Sequence, residues 1–368
     1  MSKPEKSKEN EKEKVLTSEE QIAAFLKANK EDHFNFLNEK DYKVSSGSLK
    51  LDQKMNGGLV PGVHRFIGSR ESGKTSSSLL FAKHFQDTVP NSKVVYIKAE
   101  GRFSEEMQLR SGLDFSPEKF FCFKCNIYES VFALIADLVR NNPTRKKYMF
   151  IVDSVDALCL KDDMNKPWTE LDKVAGGPLI TSVFLKKMSL QMGEEGHIVI
   201  LIAQNRAIIR LANQPLTQRH GDSSGGNAVQ HYANWTLEFE TIYKKHWIFP
   251  GGDDKASPVG RNCSVEFIKT PNEKSGEVVT YPIKYGQTGG NSVWREREAA
   301  ELLLAWEHLR RASKGVEVLD TSLTKEIRAK FPEFPESFKG VEDMYSYFSN
   351  KKPEIGQYVW ARFKDIIQ

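Results

Sequence analysis

The sequence predicts an α/β fold: a mostly parallel, helix-covered sheet carrying a phosphate-binding loop, with a small helical arm before it and a small helical domain after it. Three observations predict this. Short apolar runs alternate with helical patterns between residues 45 and 290. The run Gly68-Ser69-Arg70-Glu71-Ser72-Gly73-Lys74-Thr75 fits G-x-x-x-x-G-K-[ST] at every fixed position. The polar residues Glu100, Asp153 and Gln204 each close an apolar run, where a parallel sheet places its ligands.

Composition sets the outer limits. A chain of 368 residues with 39% hydrophobic residues can bury a large core and divide into two or three domains. No apolar run approaches the roughly 18 residues of a membrane span. The charged N-terminus is unlike a signal sequence, so the expectation is a cytoplasmic protein with no membrane partner. A net charge of +4 permits a nucleic-acid partner through a local patch without requiring one. Four cysteines in so long a chain do not make a disulfide framework. Cys122-Phe123-Lys124-Cys125 has no second pair and continues Phe120-Phe121, so a core strand is the better reading than zinc.

Residues 1–16 open with Lys, Glu, Ser and Asn and offer almost nothing to bury, which predicts a disordered, charge-balanced tail. Residues 17–44 form an arm: Thr17-Ser18-Glu19-Glu20 is a capping box ahead of Ile22, Ala23, Phe25 and Leu26. Phe34-Asn35-Phe36-Leu37 then serves either local packing or docking on a neighbouring subunit.

The core, residues 45–290, starts with the turn-rich connection Gly57-Gly58-Leu59-Val60-Pro61-Gly62. Val63 to Ile67 is a buried strand, and 76–86 a helix with Leu79, Ala82 and Phe85 inward. Between them, Gly68 and Gly73 let backbone N–H groups turn toward a phosphate chain. The helix dipole and Lys74 supply positive charge, and Thr75 offers a hydroxyl to Mg²⁺. These residues predict binding of ATP or another nucleoside triphosphate.

Further strands are expected at 93–99, 148–152 and 197–203, and helices at 129–141 and 178–192. Asp153 follows an apolar run and is the candidate Mg²⁺ carboxylate; Glu100 is the candidate base for an attacking water. Gln204 is a poor base but a suitable γ-phosphate sensor, and it opens onto a long polar segment. That segment, 205–224, holds Arg206, Arg210, Arg219 and His220 against Asp222, with apolar Ile208, Ile209 and Leu211, and runs into Gly225-Gly226-Asn227. Its arginines suit phosphates and its apolar residues could wedge between bases, although charge alone also fits a solvated loop.

At residues 45–290 the sequence resembles the RecA-type homologous recombinases, including their phage, UvsX-like members. The resemblance rests on Gly47-Ser48-Leu49-Lys50-Leu51-Asp52, the phosphate loop, Ala99-Glu100, Ile151 to Leu158, Ala203-Gln204, Gly225-Gly226-Asn227-Ala228 and Tyr285-Gly286, in matching order and spacing. It implies that Glu100 is the catalytic glutamate and Gln204 the nucleotide-coupled switch. It further implies that 206–224 is the second DNA-binding loop, hinged at Gly225 and Gly226, and about 160–175 the first. Lys269 looks like one of the lysines that reach the neighbouring subunit's γ-phosphate; the family's second falls on Pro271, with Lys274 nearby. Met107 stands where the family has an adenine-stacking aromatic.

The implied protein is a DNA-dependent ATPase requiring Mg²⁺. It assembles as a helical homo-oligomer on single-stranded DNA, pairs that strand with double-stranded DNA in recombination and repair, and works with loader and single-strand-binding proteins in a bacterial or phage-infected cell. A ring motor of the same fold and a non-catalytic recombination mediator are the alternatives; an intact Lys74, Asp153 and Glu100 set counts against the second. Residues 295–368 predict a small helical domain with balanced charge, its first helix carrying Ala299, Leu302, Leu303, Trp306 and Leu309.

Overall fold

The computed structural model describes residues 16–35, 42–101, 103–167, 176–204 and 226–367. Residues 1–15 of the expected tail, Phe36 and Leu37, the later part of the expected first loop and the segment 205–225 lie outside the described residues. The chain divides into two compact units, the first ending at Lys40 and the second beginning at Asp41.

In the first unit, α1 (Ser18–Ala28) starts at the expected capping box. Thr17 Oγ1 accepts the Glu20 N–H at 3.3 Å, and Glu20 Oε2 accepts the Thr17 N–H at 3.0 Å. Two orphan donors of the first turn are thereby satisfied. The helix buries none of its residues, and its apolar Ile22 and Phe25 are exposed.

The second unit is built on a nine-stranded sheet. Its strands are β1 (Gly62–Gly68), β2 (Ser92–Lys98), β3 (Phe120–Lys124), β4 (Lys147–Asp153), β5 (Ile198–Ile202), β6 (Trp235–Phe239), β7 (Trp247–Ile248), β8 (Gly260–Lys269) and β9 (Val278–Lys284). Six run parallel in the order β3-β2-β4-β5-β1-β6; β8 then pairs antiparallel with β6, β7 and β9. β1 and β5 are buried along their whole length, as expected of strands covered on both faces.

The helices of the core are α2 (Leu49–Lys54), α3 (Lys74–Thr88), α4 (Glu105–Ser111), α5 (Tyr128–Arg140), α6 (Gly176–Glu194) and α7 (Gly226–Tyr232). One face of the sheet gathers Leu79, Phe81 and Phe85 of α3 against Phe66, Ile151 and Ile200. The other gathers Val131 and Ile135 of α5 and Leu185 and Met188 of α6 against Val95, Phe150 and Leu201. Alternation along each strand therefore feeds two apolar layers, each large side chain contributing about 1.5–3 kcal/mol on burial.

The C-terminal region contains α8 (Arg295–Ala305), α9 (Ser322–Lys330), α10 (Val341–Ser346) and α11 (Pro353–Ile367), as its helical pattern predicts. It also holds a three-stranded antiparallel sheet that the sequence reading does not foresee: β10 (Leu309–Ala312), β11 (Gly315–Val318) and β12 (Ser337–Phe338). Leu309, expected on the first helix, begins β10 instead. A third apolar cluster joins this region to α2 through Leu49.

A fully buried carboxylate completes that junction. Glu298 of α8 accepts hydrogen bonds from Ser48 Oγ, from the N–H groups of Leu49 and Lys50 at 3.1 and 3.2 Å, and from Trp360 Nε1 at 3.0 Å. The Gly47 to Asp52 motif thus has a structural use: its Ser48 caps α2, and its first N–H groups grip a carboxylate from α8. Among the described residues no helix is long and apolar enough to cross a membrane.

Candidate nucleotide site

The loop between β1 and α3 takes the shape its glycines allow. Gly68 has φ +145°, and a Cβ there would lie 2.3 Å from the carbonyl oxygen of Phe239, so no side chain fits. Gly73, at φ +112°, is the residue before α3, whose first turn holds Lys74 and Thr75. The first N–H groups of such a turn have no intrahelical partner, which is what an anion site at a helix N-terminus uses.

Lys74 is buried. Its Nζ donates to the carbonyl oxygens of Gly68 at 3.0 Å and Ser69 at 2.6 Å. Burial pushes its pKa down, while the carboxylates of Asp153, Asp156 and Glu100 pull it back up.

Register brings the strand-end residues together. Lys98 of β2 pairs with Asp153 of β4, so Glu100, two residues later, lies beside Asp153. The N–H groups of Ala99 and Glu100 both point at the Asp153 carbonyl oxygen, at 3.0 and 3.4 Å. Asp153 Oδ2 accepts from Thr75 Oγ1 at 2.8 Å and from Tyr96 OH at 2.7 Å. Burial pushes the Asp153 pKa up, and the two hydroxyls and Lys74 oppose it. Glu100 is exposed and accepts from Ser154 Oγ at 2.9 Å. The Gln204 backbone N–H donates to Asp156 Oδ2 at 2.6 Å.

The donor set suits Mg²⁺. A P-loop Mg²⁺ takes one or two protein oxygens and completes its shell with phosphate and water. Thr75 and Asp153 could supply those oxygens, and among the described residues the Thr75 and Tyr96 hydroxyls both meet Asp153 at Oδ2, which leaves Oδ1 for such a shell. Among the described residues no group of three His, Cys, Asp or Glu side chains could hold a metal. Cys122 is on a strand, β3, but that strand is the sheet's edge with only Phe120 buried, and Cys125 lies just past it, so the expected core strand is an edge strand instead.

The structure brings Gly68, Ser69, Arg70, Glu71, Ser72, Gly73, Lys74, Thr75, Glu100, Asp153 and Gln204 to one end of the parallel strands. Lys269 lies elsewhere. It pairs with Thr236 on β6, whereas Gly68 pairs with Phe239 three residues further along, roughly 10 Å toward the loop. Its Nζ donates to the carbonyl oxygens of Gln230 and His231 at 2.7 and 2.6 Å, at the end of α7. Lys274 points at Lys54 O and Asn56 Oδ1, and Met107 on α4 packs against the first apolar cluster.

Of the expected DNA contacts, Arg206, Ile209, Arg210, Arg219 and Gly225 lie outside the described residues; Gly226 and Asn227 begin α7. No sequence pattern marks a role for Tyr96, Ser154 or Asp156. Tyr96 carries a signal in retrospect, since it shares a strand face with Lys98 and points at the end of β4.

A family model described as the RecA N-terminal domain matches residues 33–286, more than half of the 368 residues. No curated protein matches the chain.

Proposed function

The chain belongs to the RecA family, and on that premise we propose a DNA-dependent ATPase that forms helical filaments on single-stranded DNA. It pairs that strand with homologous duplex and exchanges strands, in recombination and repair. The observation that carries this reading is the run of contacts from the phosphate loop toward the segment 205–225. Thr75 meets Asp153, Ser154 meets Glu100, and Asp156 holds the backbone of Gln204, which directly precedes that segment.

The chain's own groups divide the work. Lys74 leaves the carbonyls of Gly68 and Ser69 for the β- and γ-phosphates, which are stronger acceptors. Thr75 and Asp153 hold Mg²⁺, which when bound neutralises charge on the transferring phosphoryl group. Glu100, steadied by Ser154, orients a water and takes its proton as the water oxygen bonds to the γ-phosphorus and the bond to the β-phosphate oxygen breaks. ADP and inorganic phosphate result.

ATP favours the extended, DNA-binding arrangement and hydrolysis releases it, because the two states differ in affinity for DNA. Gln204 senses the γ-phosphate and passes its presence to the arginines of 206–224. In the filament, Lys269 exchanges the carbonyls of Gln230 and His231 for the neighbouring subunit's γ-phosphate.

Strand exchange is the test. The protein with ATP, Mg²⁺ and single-stranded DNA should form joint molecules with homologous duplex and none with heterologous duplex. Unwinding without homology dependence would point to a ring motor, and DNA binding without ATP hydrolysis to an accessory role.

A further inference from the structure

We infer that Arg261 of β8 is a positioning residue that holds the phosphate loop in its anion-binding shape, an inference that rests on the nucleotide-binding reading of that loop. Arg261 comes from the antiparallel part of the sheet, 190 residues away in sequence from Glu71. Its Nη1 donates to the Glu71 carbonyl oxygen at 3.2 Å and its Nη2 to the Ser72 carbonyl oxygen at 3.5 Å. The guanidinium is seated directly behind Gly73, where a Cβ would lie 3.0 Å from Nη2.

Peptide geometry makes these contacts functional. In a planar trans peptide the C=O and the N–H of the next residue point in opposite directions. Holding the carbonyls of Glu71 and Ser72 on the outer side of the loop therefore turns the N–H groups of Ser72 and Gly73 inward, toward the phosphate position. The planar fork of arginine can grip two adjacent carbonyls at once; a lysine ammonium provides a single point.

A second observation agrees. Glu71 has φ +58°, a left-handed conformation that disfavours any residue with a Cβ. The bond from Arg261 to its carbonyl stabilises that turn before any ligand arrives. The cradle is thus preorganised, and the ordering it needs is not drawn from the binding of nucleotide.

The test compares Arg261→Met, Arg261→Lys and Lys74→Ala for Mg·ATP affinity and steady-state hydrolysis in the full-length chain. Arg261→Met should weaken Mg·ATP binding about tenfold or more, the scale of losing charge-assisted hydrogen bonds. Because the cradle holds phosphate alike in ground and transition states, KM should rise while kcat changes less than about threefold. Arg261→Lys should recover part of the loss, which a purely structural role does not require.

If Arg261→Met binds within twofold of wild type while Lys74→Ala binds nothing, the inference is overturned and the loop reading stands. If Lys74→Ala also binds normally, the loop reading itself fails. Should Arg261→Met not fold, Arg261→Gln serves in its place, read by the rise in melting temperature that Mg·ATP produces. A rise equal to wild type overturns the inference.

Discussion

Glu100 sits one strand away from Asp153 and carries the same chemical group in a different environment. Asp153 is buried under two hydroxyls, while Glu100 is exposed, and among the described residues Ser154 holds one of its oxygens. Replacing Glu100 with Gln keeps that shape and removes the proposed base. Turnover should fall by about 100-fold or more, with ATP-dependent DNA binding retained in a filter or anisotropy assay; undiminished hydrolysis would place the base elsewhere. Tyr96→Phe removes one donor from Asp153 Oδ2 and leaves the ring stacked on Phe103 at a 4.8 Å centroid distance. Fold stability should drop by about 1 kcal/mol, and the Mg²⁺ concentration for half-maximal hydrolysis should rise severalfold. An unchanged Mg²⁺ titration would mean that Thr75 alone positions the carboxylate. The placement of Lys74, Asp153 and Glu100 at one end of the sheet is legible in the sequence because each is set by a local pattern, a loop or a strand end. The contacts of Tyr96, Asp156 and Arg261 are not, since they depend on pairing register and on strands far apart in the chain.

Among the elements, the strand, loop and helix around Gly68 and Gly73 formed where their sequence put them, because seven buried residues of β1 and the inward Leu79, Ala82 and Phe85 leave one arrangement. β8 was harder to foresee as an element with two ends of different use. It brings Arg261 to the phosphate loop and Lys269 to the end of α7. β10, β11 and β12 escaped detection for a simple reason: they are four, four and two residues long, too short for a period of two to stand out. The segment 205–224 makes its own prediction. Arg206→Ala and Arg210→Ala should each weaken single-stranded DNA binding and flatten its dependence on salt by about 0.7 in the log–log slope per lost phosphate contact. Normal binding by both variants would move the DNA site away from this segment.

At the scale of the whole second unit, Glu298 ties the C-terminal region to the RecA-family core. Among the described residues its donors come from Ser48, which caps α2, from the first N–H groups of α2 and from α11, so deleting the carboxylate leaves polar groups unpaired on both sides. Glu298→Ala should destabilise the fold by about 3 kcal/mol, read by denaturant or thermal unfolding. Burial also pushes the Glu298 pKa up against the pull of Ser48, Trp360 and the α2 N–H groups. A raised folded pKa means a contribution present below the unfolded value and lost as pH rises through the folded one. The stability difference between wild type and Glu298→Ala should therefore shrink with rising pH across that window; a difference that grows would reverse the sign of the burial effect. The charge of this region, thirteen basic against thirteen acidic residues from 295 to 368, was countable from the sequence, but the clasp was not, because nothing local marks a glutamate as buried.

The measurement that tests the central claim most directly is ATP hydrolysis with and without single-stranded DNA, with the same samples imaged by negative-stain electron microscopy. The proposed function predicts hydrolysis that rises with DNA, together with helical filaments that form on the DNA when ATP is present. Closed rings that form without DNA, or DNA binding with no hydrolysis at all, would contradict it.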